Sequence, residues 1–116
     1  MRPVRLSRAA EADLLEIGIY TLDVWGEEQS LMYLDSLDEC FRKLHANPFL
    51  GRSCSRLRPG LRRIEHHRHV VFYRRNKSGV FISRILHERM LPGRAAFPGA
   101  QSRYPKIIHP IKKPKE

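Results

Sequence analysis

Residues 61–90 carry the pattern that most constrains the fold of this chain. Within them, two runs rich in β-branched and aromatic residues, 70–73 and 80–86, flank a polar stretch that contains Gly79. This arrangement is typical of a β-hairpin. A third run around Arg62–His66 can pair with the hairpin. We therefore predict three antiparallel strands in the second half of the chain.

A helix is predicted over Arg8–Trp25, after a short apolar strand at residues 4–6. Ser7 suits the N-cap of this helix, because a serine hydroxyl accepts a hydrogen bond from the free N–H groups of the first turn. The face predicted to be buried consists of apolar residues spaced by three or four positions. These residues are Ala12, Leu15, Ile19 and Leu22.

A second helix is predicted after the helix-breaking Gly26. It should end by Asn47, because Pro48 disfavours the α conformation in the residue before it. Its predicted buried face contains Leu34, Leu37, Phe41 and Leu44. Helices joined by so short a connection pack antiparallel. We therefore predict an α+β fold of order βααβββ, in which this helical hairpin packs on a mostly antiparallel sheet of three or four strands.

Charge is distributed unevenly along the chain, which has 116 residues and a net charge of +10. Residues 1–50 contain five Lys/Arg and nine Asp/Glu, whereas residues 51–97 contain twelve and two. Residues 98–116 are basic and contain four prolines. We predict one domain over residues 1–97 and a flexible basic tail over 98–116. The basic half predicts a polyanionic or acidic partner, and the alternative is a solvated surface without one.

Cysteine, histidine and hydropathy patterns exclude several classes of protein. Cys40 and Cys54 lack redox or metal-ligand spacing, which predicts a reduced cytoplasmic protein. No stretch reaches the roughly 18 apolar residues of a membrane span, and no signal-peptide pattern is present, so no membrane partner is expected. In a strand His67 and His69 share one face, but spacing specifies no third ligand. No metal and no cofactor are predicted.

Six short motifs occur in order along the predicted domain. They are residues 9–14 (AAEADL), 25–29 (WGEEQ), 47–52 (NPFLGR), 57–62 (LRPGLR), 69–74 (HVVFYR) and 85–90 (ILHERM). Together they resemble the ParE toxins of the RelE/ParE superfamily of type II toxin–antitoxin modules. The resemblance implies a βααβββ toxin that is neutralised by a cognate antitoxin, of the ParD type or similar. It also implies inhibition of DNA gyrase, whereas RelE members are ribosome-dependent mRNA endonucleases.

RNA cleavage of the RelE kind needs groups that transfer protons and cations that hold the phosphate. The candidates for these roles are His87, Arg89, Arg84 and Arg74. Two features typical of RelE are missing, because residues 51–75 contain no Lys and residues 91–93 (LPG) stand where a catalytic Tyr is expected. Tyr104 lies well past that place. These departures favour a toxin that binds its target and is no enzyme. The alternatives are an endonuclease and a non-toxic nucleic-acid-binding module.

The residues predicted to bind the target or the antitoxin lie on the sheet and just after it. They are Arg62, Arg63, Arg74, Arg84, His87, Arg89 and Met90. We expect an acidic C-terminal antitoxin segment to meet the arginines and to cover an apolar face of the sheet. DNA gyrase is the expected target, and any nucleic-acid contact would be indirect. Which residues of each strand face the helices stays open.

Overall fold

The computed structural model of the chain describes residues 4–77 and 79–90. Two helices pack on a five-stranded sheet, in the order β1, α1, α2, β2, β3, β4, β5. The helices are α1 (Arg8–Trp25) and α2 (Glu27–Ala46), and the strands are β1 (Arg5–Leu6), β2 (Arg52–Ser53), β3 (Arg62–His66), β4 (His69–Asn76) and β5 (Gly79–His87). A short 3₁₀ helix over Glu88–Met90 follows β5.

The strands lie in the order β1-β5-β4-β3-β2, with β1 parallel to β5 and every other pair antiparallel. The predicted α+β fold is confirmed. The predicted count of three or four strands is wrong, because Arg52 and Ser53 form a fifth strand that pairs with β3. Two residues are too few to show any period in the sequence, so this strand was not predicted.

The predicted start of α1 is confirmed, but its predicted buried face is wrong. Ser7 Oγ accepts a hydrogen bond from the N–H of Ala10 at 2.9 Å and donates one to the carbonyl of Ser83 at 2.8 Å. Leu15, Ile19 and Leu22 are 65%, 58% and 52% exposed. The helix instead buries Ala10, Asp13, Ile17, Thr21 and Trp25. Two of these residues are polar, so their stripe carries the weaker hydrophobic signal.

The predictions for α2 agree with the structure. The helix ends at Ala46, and the N–H of Asn47 donates to the carbonyl of Lys43 at 2.9 Å. Its buried residues include three of the four predicted ones, and Leu34 is partly buried against the same core. Neither helix of the described residues combines the length and the apolar composition needed to span a bilayer.

Each face of the sheet carries a buried apolar cluster. The larger cluster lies between the sheet and the helices and includes Val71, Tyr73, Ile82 and Ile85. The smaller cluster is formed by Leu61, Val70, Phe72 and Leu86, with Cys54 and Leu57 packed against it. Alternate residues of a strand point to opposite faces, so the structure decides which residues face the helices. The expected partner over the second face is not required, because the chain's own segment at residues 54–61 covers it.

The last residues of the predicted domain, 91–97, lie outside the described residues. So do the predicted tail at 98–116 and Tyr104 within it. The sheet and both helices lie inside the described part of the chain, and the surfaces below are built from them.

Candidate protein-binding surfaces

Arg84 was predicted to bind a partner, but it forms a buried ion pair with Asp13. Its Nε and Nη2 donate to the two carboxylate oxygens at 2.7 and 2.8 Å, and the N–H of Ile85 donates to the same carboxylate at 2.9 Å. The side chains are only 5% and 4% exposed. The pair therefore joins α1 to β5. The predictions that Arg84 contacts a partner or holds a phosphate are wrong, because its guanidinium group is enclosed.

His87 is also buried, which contradicts its predicted role in binding or RNA cleavage. Its Nδ1 accepts a hydrogen bond from the backbone N–H of Arg89 at 3.1 Å. Its ring meets the ring of His69 edge-on, with 5.5 Å between centroids. Two of the four candidate catalytic residues, Arg84 and His87, are thus enclosed by the fold. The described residues do not present the predicted catalytic set to an RNA substrate.

Histidines at one end of the sheet act as neutral hydrogen-bonding groups. The hydroxyl of Tyr33 lies 2.6 Å from Nδ1 of His69, and the hydroxyl of Ser36 lies 2.8 Å from Nε2 of His66. Burial lowers the pKa of His69 to about 3 and the pKa of His66 to about 4, with a smaller contribution from neighbouring histidines. These imidazoles are therefore uncharged at neutral pH. They link α2 to the turn between β3 and β4.

The other predicted binding residues remain at least partly accessible: Arg62, Arg63, Arg74, Arg89 and Met90. Arg63 forms an ion pair with Glu65 at 2.8 Å, and its guanidinium lies over the ring of Phe72. Arg74 lies over the ring of Phe81, with 5.6 Å to the centroid. The structure therefore brings a subset of the predicted arginines to the surface around β3 and β4.

An extended apolar surface lies on the helices and was missed by sequence reasoning. A groove of about 880 Å³ runs between α1 and α2. Its apolar lining includes Leu14, Leu15, Ile19, Leu22, Leu31 and Leu34. Glu11, Glu27 and Asp38 also line it, and no Lys or Arg does so among the described residues. We call this surface the helix groove. It was missed because Leu15, Ile19 and Leu22 of α1 are predicted from their spacing to be buried, whereas the structure exposes them.

A second exposed apolar feature follows α2. Phe49 and Leu50 are 58% and 47% exposed in the loop that leads to β2. Both belong to the motif at residues 47–52, one of the six that carry the family resemblance. The sequence analysis predicts no binding role for either residue. The signal that marks them is an aromatic and an aliphatic residue in a loop that has no periodic apolar pattern.

Comparison with known proteins identifies the family. Residues 4–92 match the family described as the ParE toxin of type II toxin–antitoxin system, parDE. The chain belongs to the ParE toxin family. This ParE-family chain is 42% identical over 86 residues to Toxin ParE1 of Mycobacterium tuberculosis, across 73% of this chain and 88% of that protein. It is 41% identical over 90 residues to Toxin ParE1 of Caulobacter vibrioides, across 78% and 93%.

A solved structure gives the same result for the fold of this ParE-family chain. The structure described as the chromosomal ParDE TA system from P. aeruginosa is 26% identical, with a TM-score of 0.61. The similarity covers 72% of this chain and 92% of that chain. The predicted family is therefore confirmed. Membership in a family of type II toxins implies an antitoxin as a partner.

Proposed function

We propose that this chain inhibits growth in the cytoplasm by binding DNA gyrase, and that a cognate antitoxin neutralises it by occupying the helix groove. The observation that carries the antitoxin half of the proposal is the exposure of the groove itself. Leu15, Ile19 and Leu31 are each more than half exposed, side by side along two helices. A contiguous apolar surface on so small a domain is typical of a protein interaction site.

The shape and charge of the helix groove favour a particular kind of antitoxin segment. An amphipathic helix places apolar residues at intervals of three and four into such a groove. The carboxylates of Glu11, Glu27 and Asp38 at the groove favour Lys or Arg beside those apolar residues. We therefore revise the expected antitoxin of the ParD type. An acidic segment suits the arginines of the sheet, such as Arg62 and Arg74, but an apolar and basic segment suits the groove.

Burial of predicted catalytic residues supports the proposal that this toxin acts by binding its target. Arg84 and His87 are two of the four residues predicted to act in an endonuclease, and both are buried. The relatives are toxins of the ParE type, and inhibition of gyrase is what the resemblance to ParE toxins implies. A toxin that acts by binding needs accessible contact residues, and the described surface offers them in the helix groove and at Arg62, Arg63 and Arg74.

Three measurements test the proposal. The purified chain is expected to inhibit DNA supercoiling by gyrase, and its induced expression is expected to arrest growth. Co-expression of the protein encoded by the neighbouring reading frame, taken as the antitoxin, is expected to restore growth. No effect on supercoiling at large protein excess would count against gyrase, and codon-linked cuts in translated mRNA would identify an endonuclease instead.

Variants of the helix groove test where the antitoxin binds. Ile19→Glu is expected to weaken antitoxin binding by about 10- to 100-fold, since a charge then occupies an apolar contact. The matched control is Met32→Glu, because Met32 is 59% exposed but does not line the groove. Growth arrest by Ile19→Glu should continue and should no longer be reversed by the antitoxin. Equal antitoxin binding by both variants would place the antitoxin elsewhere.

A further inference from the structure

The loop between α2 and β2 is held from beneath by one buried tyrosine. Tyr73 donates its hydroxyl hydrogen to the carbonyl of Pro48 at 2.8 Å and accepts the N–H of Gly51 at 2.8 Å. Gly51 has no room for a side chain, because an added Cβ would lie 2.4 Å from the carbonyl oxygen of Arg63 and 2.6 Å from Tyr73 Oη. The loop therefore rests directly on β3 and β4 in one position.

Further hydrogen bonds fix the exposed part of this loop. The side-chain oxygen of Asn47 accepts the N–H of Phe49 at 3.1 Å, and its carbonyl accepts the N–H of Leu50 at 3.0 Å. Arg62 donates from Nη2 to the carbonyl of Gly51 at 2.7 Å. Phe49 and Leu50 consequently stand out from a rigid support. A partner that binds them does not have to order the loop first, which favours affinity.

Two arginines surround the exposed aromatic ring. The guanidinium carbon of Arg75 lies 4.6 Å from the centroid of the Phe49 ring, and that of Arg62 lies 5.2 Å from it. Neither arginine forms an ion pair with any carboxylate among the described residues, in contrast to Arg63 and Arg52, which pair with Glu65. Their positive charge is therefore available to a partner. We name Phe49, Leu50, Arg62 and Arg75 the Phe49 patch.

We propose that the Phe49 patch is the surface by which this toxin grips its target, and that it fits an acidic protein surface with an apolar recess. The proposal rests on the proposed function. Phe49 and Leu50 would enter the recess, and carboxylates beside it would receive the two guanidinium groups. Aromatic residues and arginine are enriched at the centres of protein interfaces, whereas lysine is depleted, and the patch contains no lysine.

The contacts of the patch favour a protein over a nucleic acid and the target over the antitoxin. A base would stack on the face of the Phe49 ring, and two guanidinium groups within 5.2 Å of the ring centroid compete for that face. None of the four residues of the patch lines the helix groove. The patch thus provides a second, separate protein surface, as expected of a toxin that recognises an inhibitor and a target of different chemistry.

The test compares patch variants with matched variants elsewhere on the full chain. Phe49→Ala and Arg75→Glu are expected to reduce inhibition of purified DNA gyrase by about 10- to 100-fold and to abolish growth arrest. Met32→Ala is the control for removal of an exposed apolar side chain, and Arg56→Glu is the control for charge reversal in an exposed loop. Both controls are expected to stay within about two-fold of the wild type. Antitoxin binding and the thermal melting curve show that each variant is folded.

The outcomes separate this inference from the proposed function. A wild-type chain that arrests growth, with patch variants that arrest it equally, would overturn the inference alone. A wild-type chain that causes no arrest would overturn the proposed function and the inference with it. If the wild-type chain arrests growth without inhibiting gyrase, the growth assay alone tests the patch. Loss of growth arrest in Phe49→Ala and Arg75→Glu would then support the inference, and unchanged arrest would overturn it. Loss of antitoxin binding in Phe49→Ala would reassign the patch to the antitoxin.

The same variants also test the alternative that the toxin acts by binding nucleic acid. Binding to a single-stranded DNA oligonucleotide is measured at low and high salt. If Arg75→Glu and Arg56→Glu weaken that binding equally, and both reduce toxicity in proportion, a diffuse electrostatic contact with nucleic acid explains the toxin better. The inference requires that the Arg56→Glu variant still arrests growth. Loss of growth arrest in that variant would overturn the inference.

Discussion

The helical layer and the sheet layer of this toxin differ in charge and in what they leave uncovered. The two helices contain nine Asp/Glu and three Lys/Arg, whereas residues 47–90 contain two and eleven. The helices leave a wide apolar groove open. Among the described residues the sheet carries a buried cluster on each face, and its accessible features include arginines and the Phe49 patch. The two layers therefore expose surfaces of different chemistry.

The layers are joined by a contact that uses one charge from each. Asp13 comes from the acidic helical layer and Arg84 from the basic sheet layer, and they neutralise each other in the interior. An enclosed charge without its partner is strongly unfavourable, whereas an enclosed pair with several hydrogen bonds is tolerated. The Asp13–Arg84 pair, where the two layers meet, is therefore the first place to test the difference between them by mutation.

The largest effect is expected from Asp13→Ala. The variant leaves the Arg84 guanidinium buried without its carboxylate, and we expect the free energy of unfolding to fall by about 3–5 kcal/mol. Urea denaturation measures it. Arg42→Ala is the control, since Arg42 pairs with Asp38 on the surface, where solvent screens the pair, and should change stability far less. Equal, small effects of the two variants would show that the link between the layers is weak.

The two faces of the helices should respond differently to the same truncation. Leu37→Ala removes a fully buried side chain and is expected to cost about 2–5 kcal/mol. Leu15→Ala removes a side chain that is mostly exposed and is expected to cost less than about 0.5 kcal/mol. Urea denaturation of both variants measures the contrast. A large loss in Leu15→Ala would mean that the helix groove is part of the core after all.

Acid should destabilise the fold through the histidines that link α2 to the sheet. The pKa of His69 is about 3 and that of His66 about 4 in the folded chain, both below the value of about 6.5 expected for unfolded histidine. The unfolded chain therefore binds more protons as the pH falls below about 6.5. The contribution of these groups to stability is complete above that pH and declines towards the folded pKa values.

Between pH 7.5 and pH 5.5 we expect the free energy of unfolding to fall by about 2 kcal/mol, at up to about 1.4 kcal/mol per pH unit for His69 and less for the more exposed His66. His69→Gln should flatten this dependence, because it removes the fully buried ring of the pair. A pH profile that is flat in the wild type would contradict neutral burial of these rings.

The smallest effects are expected at two turns in the sheet layer. Gly60 has φ +81° and open space around a would-be Cβ, so Gly60→Ala should cost about 1 kcal/mol from backbone strain alone. His67 has φ 55° in the turn between β3 and β4, and His67→Gly should gain about 0.5 kcal/mol by relieving the same strain. Thermal unfolding compares the two, and changes of the same sign would exclude backbone strain as their cause.

Local signals in the sequence predicted much of the fold. The capping hydroxyl of Ser7 and the break at Gly26 placed the bounds of α1, and Pro48 placed the end of α2. The apolar runs predicted β4 and β5. The turn at His67 lacks a glycine, and β2 is two residues long, so neither gave a local signal. Of the predicted site, Arg62, Arg63, Arg74, Arg89 and Met90 stay accessible, and Arg84 and His87 do not.

The sequence by itself determined the helices, the main strands, the separation of charge and the resemblance to ParE toxins, because these depend on neighbouring residues and on composition. Only the tertiary structure decided which face of α1 is buried and which arginines reach the surface. Asp13 and Arg84 are 71 residues apart in the chain, and their pairing turns the polar stripe of α1 inward. Leu15 and Ile19 are thereby turned outward, and contacts at that distance leave no periodic trace in the sequence.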